Sequence, residues 1–210
     1  MRIIREVKVK ADEMCFVQYM PIKLPFESIK LPPQLEWTDP IVDSVFGDYF
    51  ESNDDKCNVW HHKYVYLTVR HLYTTPASPG NRTGWHIDGY GSLDDNYLWC
   101  DRNPTEYLPQ ARRYFGSDHV EAMDRIHDYA DPLSYIAHAI PVNTVVDIER
   151  DIHRVATPEV SGMRTFVKVT ASYAKYNLKG NAKNPRLATW DNKHERSYKR
   201  NHPYVLDFPA

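Results

Sequence analysis

Ten residues, Tyr64-Val65-Tyr66-Leu67-Thr68-Val69-Arg70-His71-Leu72-Tyr73, constrain the chain more than any other stretch. β-branched and aromatic side chains dominate the run, and successive side chains of a strand point to opposite faces. Val65, Leu67 and Val69 therefore share an apolar face, and Tyr66, Thr68 and Arg70 share a polar one. A strand buried on one side and polar on the other predicts the wall of a cavity. Composition points the same way. Fifteen Tyr, fifteen Pro and only eight Gly favour a loop-rich β protein over a helix bundle.

Val7 and Val9 alternate with charged residues and Met14 to Met20 is a short apolar run, which predicts two edge strands. Pro21, Pro25, Pro32 and Pro33 predict an extended crossing over the surface. A helix follows. Asp39 is placed to cap it with Pro40 at its first position, and Ile41, Val42, Val45, Phe46, Tyr49 and Phe50 recur at the period of one apolar face. Glu51 to Asp55 reads as an exposed acidic turn, Thr74 to Thr83 as a loop, and Asn96 to Trp99 as a short strand. Between Cys100 and Ala130 lies an insertion, helical near its end, where Asp118 caps and Val120, Met123, Ile126 and Ala130 make a face. Strands resume over Ser134 to Ile140, Val142 to Ile148, Ile152 to Val155 and, after a turn, Met163 to Ser172. Many short strands with a few outer helices predict a mainly β fold, a sandwich or jelly roll. Residues 1–62 then form N-terminal strands and a supporting helix, 63–172 the core with its 100–132 insertion, and 173–210 a C-terminal extension of one domain.

That extension is basic. From Tyr173 to Arg200 eight Lys or Arg stand against Asp191 and Glu195, in a chain whose net charge is −2. Tyr173, Tyr176, Trp190 and Tyr198 are interleaved with the cations, a pattern that suits single-stranded nucleic acid and suits still better a basic wrap neutralising an acidic body. Cys15, Cys57 and Cys100 form no CxxC, so reduced thiols are expected. The N-terminus has no signal-peptide core and no apolar run spans a membrane, which predicts a cytoplasmic protein.

Gly84-Trp85-His86-Ile87-Asp88-Gly89-Tyr90-Gly91 carries the chemistry. In a strand, His86 and Asp88 project from one face and can close on one metal ion, while the glycines let the chain turn away. The spacing alone proves nothing in a chain with ten His. A facial triad needs two His and one carboxylate on one side of the ion, and His153, in a later strand, supplies the third. Arg164 sits eleven residues beyond it, where a planar guanidinium suits a dicarboxylate's far end. His119 and Glu121 form a rival pair, but residues i and i+2 of a helix do not share a face.

In this order, His86-Ile87-Asp88, His153 and Arg164, the chain resembles the iron(II)- and 2-oxoglutarate-dependent dioxygenases over roughly residues 64–172. Blocks such as Asn103-Pro104-Thr105, Gly162-Met163-Arg164-Thr165-Phe166-Val167-Lys168 and Arg200-Asn201-His202-Pro203 are similar to small phage- and bacterium-encoded members. The resemblance implies a double-stranded β-helix (jelly roll, cupin-like), with Fe(II) on His86, Asp88 and His153. It also implies 2-oxoglutarate on Arg164, and O2 as oxidant in a hydroxylation coupled to release of succinate and CO2. Asp88 argues against the family's halogenases, which replace that ligand by a small residue. One position departs from the pattern. Many members carry Ser or Thr two residues after the Arg, where this chain has Phe166, so Thr68 or Tyr66 is expected to supply the second bond to the cosubstrate. Arg70 is expected to meet an anionic substrate or form an ion pair, Tyr97 to wall the pocket, and Trp85 to wall it or pack the core. The substrate is expected to be a nucleobase, a nucleotide or a small metabolite. The alternative is a cupin-like metal-binding module without oxygen chemistry.

Overall fold

The computed structural model describes residues 1–51, 54–109, 114–116 and 118–195. Over these residues the chain is mainly β, with nine strands in two antiparallel sheets and few helices. The central pair is the strand expected first, β3 (Tyr64–Thr74), and the last, β9 (Gly162–Ser172). They pair along their full lengths, from Tyr64 opposite Ser172 to Thr74 opposite Gly162. β4 (Asp95–Cys100) and β7 (Thr144–Asp147) continue the sheet beyond β9, with β1 (Arg2–Glu6) at that edge. β2 (Cys15–Lys23) forms the other edge, beside β3. The smaller sheet places β5 (Thr105–Tyr107) between β6 (His138–Ala139) and β8 (His153–Val155).

Both N-terminal strands are edges, as their patterns predict, but their limits differ. β1 precedes Val7, which is buried just past the strand and donates its N–H to Asn143 O at 2.7 Å. β2 runs through Pro21 because an edge strand can leave its outer face without a donor. The surface crossing therefore begins only after Lys23. A short 3-10 helix at Pro33–Thr38 leads straight into α1 (Asp39–Glu51). Asp39 itself has helical angles, φ −52 and ψ −45, so it continues the helix instead of capping it.

α1 lies on the apolar face of the large sheet. Ile41, Val42, Val45 and Tyr49 pack on Val65, Leu67, Val69, Val167 and Val169, with Trp60 from α2 (Asp54–His62). Each such aliphatic burial contributes roughly 1.5–3 kcal/mol. Of the acidic turn expected at Glu51 to Asp55, Glu51 ends α1 and Asp54 begins α2, while residues 52 and 53 lie outside the described residues; α2 was not legible because its apolar positions are few. Phe46 and Phe50 are 37% and 41% exposed, in tilted contact with each other at the rim.

α3 (His119–Ala130) begins as expected, with the Glu121 N–H donating to Asp118 Oδ1 at 3.2 Å. Ala122, Ile126 and Ala130 make a second core with Trp85, Ile87, Leu108, Phe115 and Ile152. Ser134 to Ile140, expected as one strand, begins as the end of the 3-10 helix Asp131–Ile136 and contains only the two residues of β6 as strand. The extension is ordered over 173–195 by a third cluster, in which Tyr176, Leu187 and Trp190 pack on Tyr66 of β3. Asn184 Nδ2 also donates to Pro21 O at 2.9 Å, fastening the extension over β2. Arg196, Tyr198, Lys199 and the block at Arg200 lie outside the described residues, as does the Cys57 side chain; Cys15 and Cys100 are free thiols. Among the described residues no helix is long and apolar enough to cross a membrane.

Candidate metal centre

The Gly84 to Gly91 motif is an irregular edge added to the small sheet. His86 and His153 exchange both backbone hydrogen bonds, His86 N to His153 O at 3.0 Å and His153 N to His86 O at 2.9 Å. Residues opposed in this way carry side chains on one face, and the two imidazoles lie with centroids 4.4 Å apart. Trp85 and Ile87 alternate inward to the core under α3, which turns His86 and Asp88 out toward a cavity. Just beyond Asp88 the chain bends at Gly89, whose φ is +63; a Cβ there would stand 2.7 Å from Ser92 Oγ.

Both rings are oriented in the same way. His86 Nδ1 lies 2.8 Å from Gly84 O, and His153 Nδ1 lies 2.9 Å from Asp151 O. A carbonyl only accepts, so each Nδ1 carries the proton and each Nε2 presents a lone pair. Nε2 of His86 is 3.9 Å from Asp88 Oδ1, and Nε2 of His153 is 3.6 Å from Asp88 Oδ2. Adjacent ligand atoms at metal bonds of about 2.1 Å sit roughly 3 Å apart, so closure on an ion needs shifts of roughly an ångström or less. These three residues could hold a metal ion.

Electrostatics favour that state. Burial, and then His153, push the His86 imidazolium down to about 3, so the ring is neutral at ordinary pH, as a metal ligand must be. Burial raises the Asp88 carboxyl, but Lys168 and the two imidazoles outweigh it and hold the group well below the usual carboxylate range. Lys168 Nζ donates to Asp88 Oδ2 at 2.9 Å and to Tyr19 OH at 3.4 Å. Three acceptors thus converge, with one ammonium offsetting part of their charge.

A cavity of about 560 Å³ opens beside them, within the roughly 300–1,000 Å³ of small-molecule sites. The polar face of β3 lines it through Thr68 and Arg70, as its alternation predicts. Thr68 Oγ1 accepts the Tyr19 N–H at 3.1 Å, leaving its own hydrogen for a ligand. Arg164, 2% exposed, lies on the face of β9 that also carries Phe166 and Lys168, both cavity residues. Its Nε donates to Arg102 O at 3.0 Å and Asn103 O at 2.9 Å, and Nη1 to the cavity residue Asn81 at 3.1 Å. Nη2 is buried and has no hydrogen-bond partner among the described residues.

Three expected site residues lie elsewhere. The Tyr66 hydroxyl is spent on the extension, donating to Ala174 O at 2.9 Å and accepting from Tyr176 N at 2.8 Å. Tyr97 projects from the opposite, helix-covered face and donates to Asp48 Oδ2 at 2.9 Å. Trp85 is core, its indole N–H on Ser134 Oγ at 3.2 Å. None of the three lines the cavity, and neither does Arg164, which meets it through Asn81.

Sequence reasoning missed Lys168, although counting by twos from Arg164 along β9 reaches it on the same face. Tyr19 had no such signal. It enters the cavity because a bulge between Val17 and Met20 leaves it at φ 45. Asp94, which accepts from Tyr176 OH at 2.6 Å, lines the cavity only because the extension folds back.

Fold and site together define a mainly β protein with a His-Asp-His group suited to a metal. No family model matches the chain, and neither a curated protein nor a solved structure matches it at a significant level.

Proposed function

We propose that this protein is an iron(II)- and 2-oxoglutarate-dependent oxygenase, a hydroxylase of a small molecule or nucleotide on a jelly-roll core. The observation that carries the reading is the convergence of two Nδ1-anchored imidazoles and Asp88 at one side of a cavity. Two nitrogens and one carboxylate oxygen suit Fe(II) and leave its remaining positions open. The buried Nη2 of Arg164, without a hydrogen-bond partner among the described residues, suits the far carboxylate of the cosubstrate, since a buried guanidinium N–H is costly unless something accepts from it.

Bound Fe(II), 2-oxoglutarate and O2 would supply an oxidation coupled to decarboxylation of the cosubstrate to succinate and CO2. The residues of this chain hold and orient. The Gly84 and Asp151 carbonyls fix the tautomer of the two ligating rings. Lys168 restrains one oxygen of Asp88, and Thr68 keeps a donor for a carboxylate.

The substrate reading leans away from nucleic acid strands. Tyr176 and Trp190 are each only 7% exposed, packed in a core and closed to stacking bases. Lys179, Lys183 and Arg186 face Glu195, Asp191 and Glu36. On the side of the rival, a metal-binding module without oxygen chemistry, stands Phe166, where a cosubstrate hydroxyl partner is expected.

Succinate release in air by the Fe(II)-loaded protein separates the two. The oxygenase forms succinate from 2-oxoglutarate, and Arg164→Ala raises the cosubstrate Kd at least about tenfold while iron binding survives. Iron binding without succinate across a panel of metabolites and nucleotides would favour the module.

A further inference from the structure

Tyr19 combines a strained backbone with a hydroxyl hydrogen that no described residue accepts. It sits in the bulge of β2 at φ 45, a conformation that a bulky residue rarely adopts and that concentrates at ligand sites. Thr68 Oγ1 holds the bulge by accepting the Tyr19 N–H. The bulge also interrupts the alternation of the strand, so the consecutive residues Gln18 and Tyr19 both line the cavity. The Tyr19 ring is fixed by Tyr66 and Tyr176, with centroids 6.0 and 5.5 Å away, and by the Lys168 ammonium 5.0 Å from its own centroid.

The hydroxyl oxygen accepts from Lys168 Nζ at 3.4 Å, which leaves the group to act as a donor. A phenol keeps its hydrogen at ordinary pH, and an ammonium on its oxygen strengthens it as a donor. The same ammonium holds Asp88 Oδ2 at 2.9 Å, so one cation sets this donor beside the proposed metal ligand. A ligand group that meets Tyr19 must therefore be an acceptor. It is better neutral than anionic, because the charge of Lys168 is already answered by Asp88. Asp94, whose carboxylate accepts from the Ser172 and Tyr176 hydroxyls, also lines the cavity and would repel an anion. A carbonyl oxygen meets the donor without that penalty. Leu178, two residues beyond Tyr176 in the extension, lines the cavity as well.

We propose that Tyr19 determines substrate specificity: its hydroxyl donates to the carbonyl oxygen of an uncharged group of the substrate, in the part of the cavity bordered by Tyr176 and Leu178. The proposal rests on the oxygenase reading for the chemistry that follows, but the hydrogen bond itself does not require turnover.

The test is anaerobic calorimetric titration of the full chain loaded with Fe(II) and 2-oxoglutarate. Probes come in pairs that differ in a carbonyl: inosine with purine riboside for a ring lactam, and phenylacetamide with phenethyl alcohol for an open amide. At least one carbonyl member binds with a Kd about tenfold or more below that of its partner, and the pair that responds distinguishes a nucleobase from an amide. Tyr19→Phe keeps the ring, removes that preference and leaves the Kd of Fe(II) and of 2-oxoglutarate unchanged, a split that a purely structural hydroxyl would not produce. Leu178→Trp blocks the same probe by filling its place. The proposal is overturned if neither pair shows the preference, if Tyr19→Phe retains it, or if Leu178→Trp binds the probe as the wild type does. It is also overturned if Tyr19→Phe weakens 2-oxoglutarate as much as the probe, which would assign the hydroxyl to the cosubstrate. A wild type that binds neither Fe(II) nor 2-oxoglutarate would strike the oxygenase reading separately, and the same pairs and variants then decide the Tyr19 contact on the metal-free chain.

Discussion

Two polar clusters occupy opposite faces of the large sheet, and only one has the makings of a site. Under α1, Arg2 meets Asp48 with both Nη atoms and Asp147 at 3.1 Å, and Tyr97 donates to Asp48. Tyr49 and Lys63 both donate to Asp95, and the Glu149 N–H closes Asp147 at 2.9 Å. Donors answer carboxylates throughout, and no member borders the cavity. Across the sheet, two imidazole lone pairs and a carboxylate face one another with Lys168 as the donor on Asp88. Burial and perturbed titration occur on both faces. What distinguishes the metal side is acceptors left facing acceptors, with space beside them.

Substitutions on the two faces therefore move different observables. His153→Ala lowers metal affinity at least about a hundredfold, measured by anaerobic titration with Fe(II). Asp48→Asn leaves that affinity unchanged and costs about 2–3 kcal/mol of unfolding free energy in urea. An equal effect of both on metal binding would dissolve the distinction. Lys168→Met costs the metal-free protein about 1–3 kcal/mol, because Asp88 keeps its charge without its ammonium. Added Fe(II) then raises Tm more in the variant than in the wild type, since the ion replaces a missing cation; an unchanged increment would show that Lys168 is indifferent to the site.

The last comparison is pH dependence. His86 is held neutral down to about 3 but takes a proton near 6.5 when unfolded. Between those values the unfolded chain binds more protons, so this group's stability contribution is present above 6.5 and lost as pH falls toward 3. Asp147, raised by burial, has the opposite sign and gains on acidification. Urea titrations of the metal-free protein over that window should show a fall that His86→Gln flattens. A slope unchanged in the variant would place the response elsewhere.

How much of this was legible follows from what each signal depends on. The alternation in β3 and β9 fixed which side chains share a face, and hence the placing of Thr68, Arg70 and Arg164. The order His86, Asp88, His153 anticipated the cluster, since a bridge between two strand edges brings both rings to one side. Alternation does not say what will cover a face. Tyr66 shares its face with Thr68, yet the returning extension claims its hydroxyl. Tyr97 was assigned to the pocket because nothing local fixes which side of β4 meets α1; only its pairing with Val169 does. The bulge that turns Tyr19 inward depends on β2 slipping against β3, a long-range event with no local mark.

The most direct measurement is an anaerobic titration of the protein with Fe(II) and 2-oxoglutarate, followed by visible absorption. A charge-transfer band should grow to saturation at one iron per chain and be absent in His153→Ala and Asp88→Ala. Absence of the band in the wild type, or its persistence in both variants, would contradict the proposed centre.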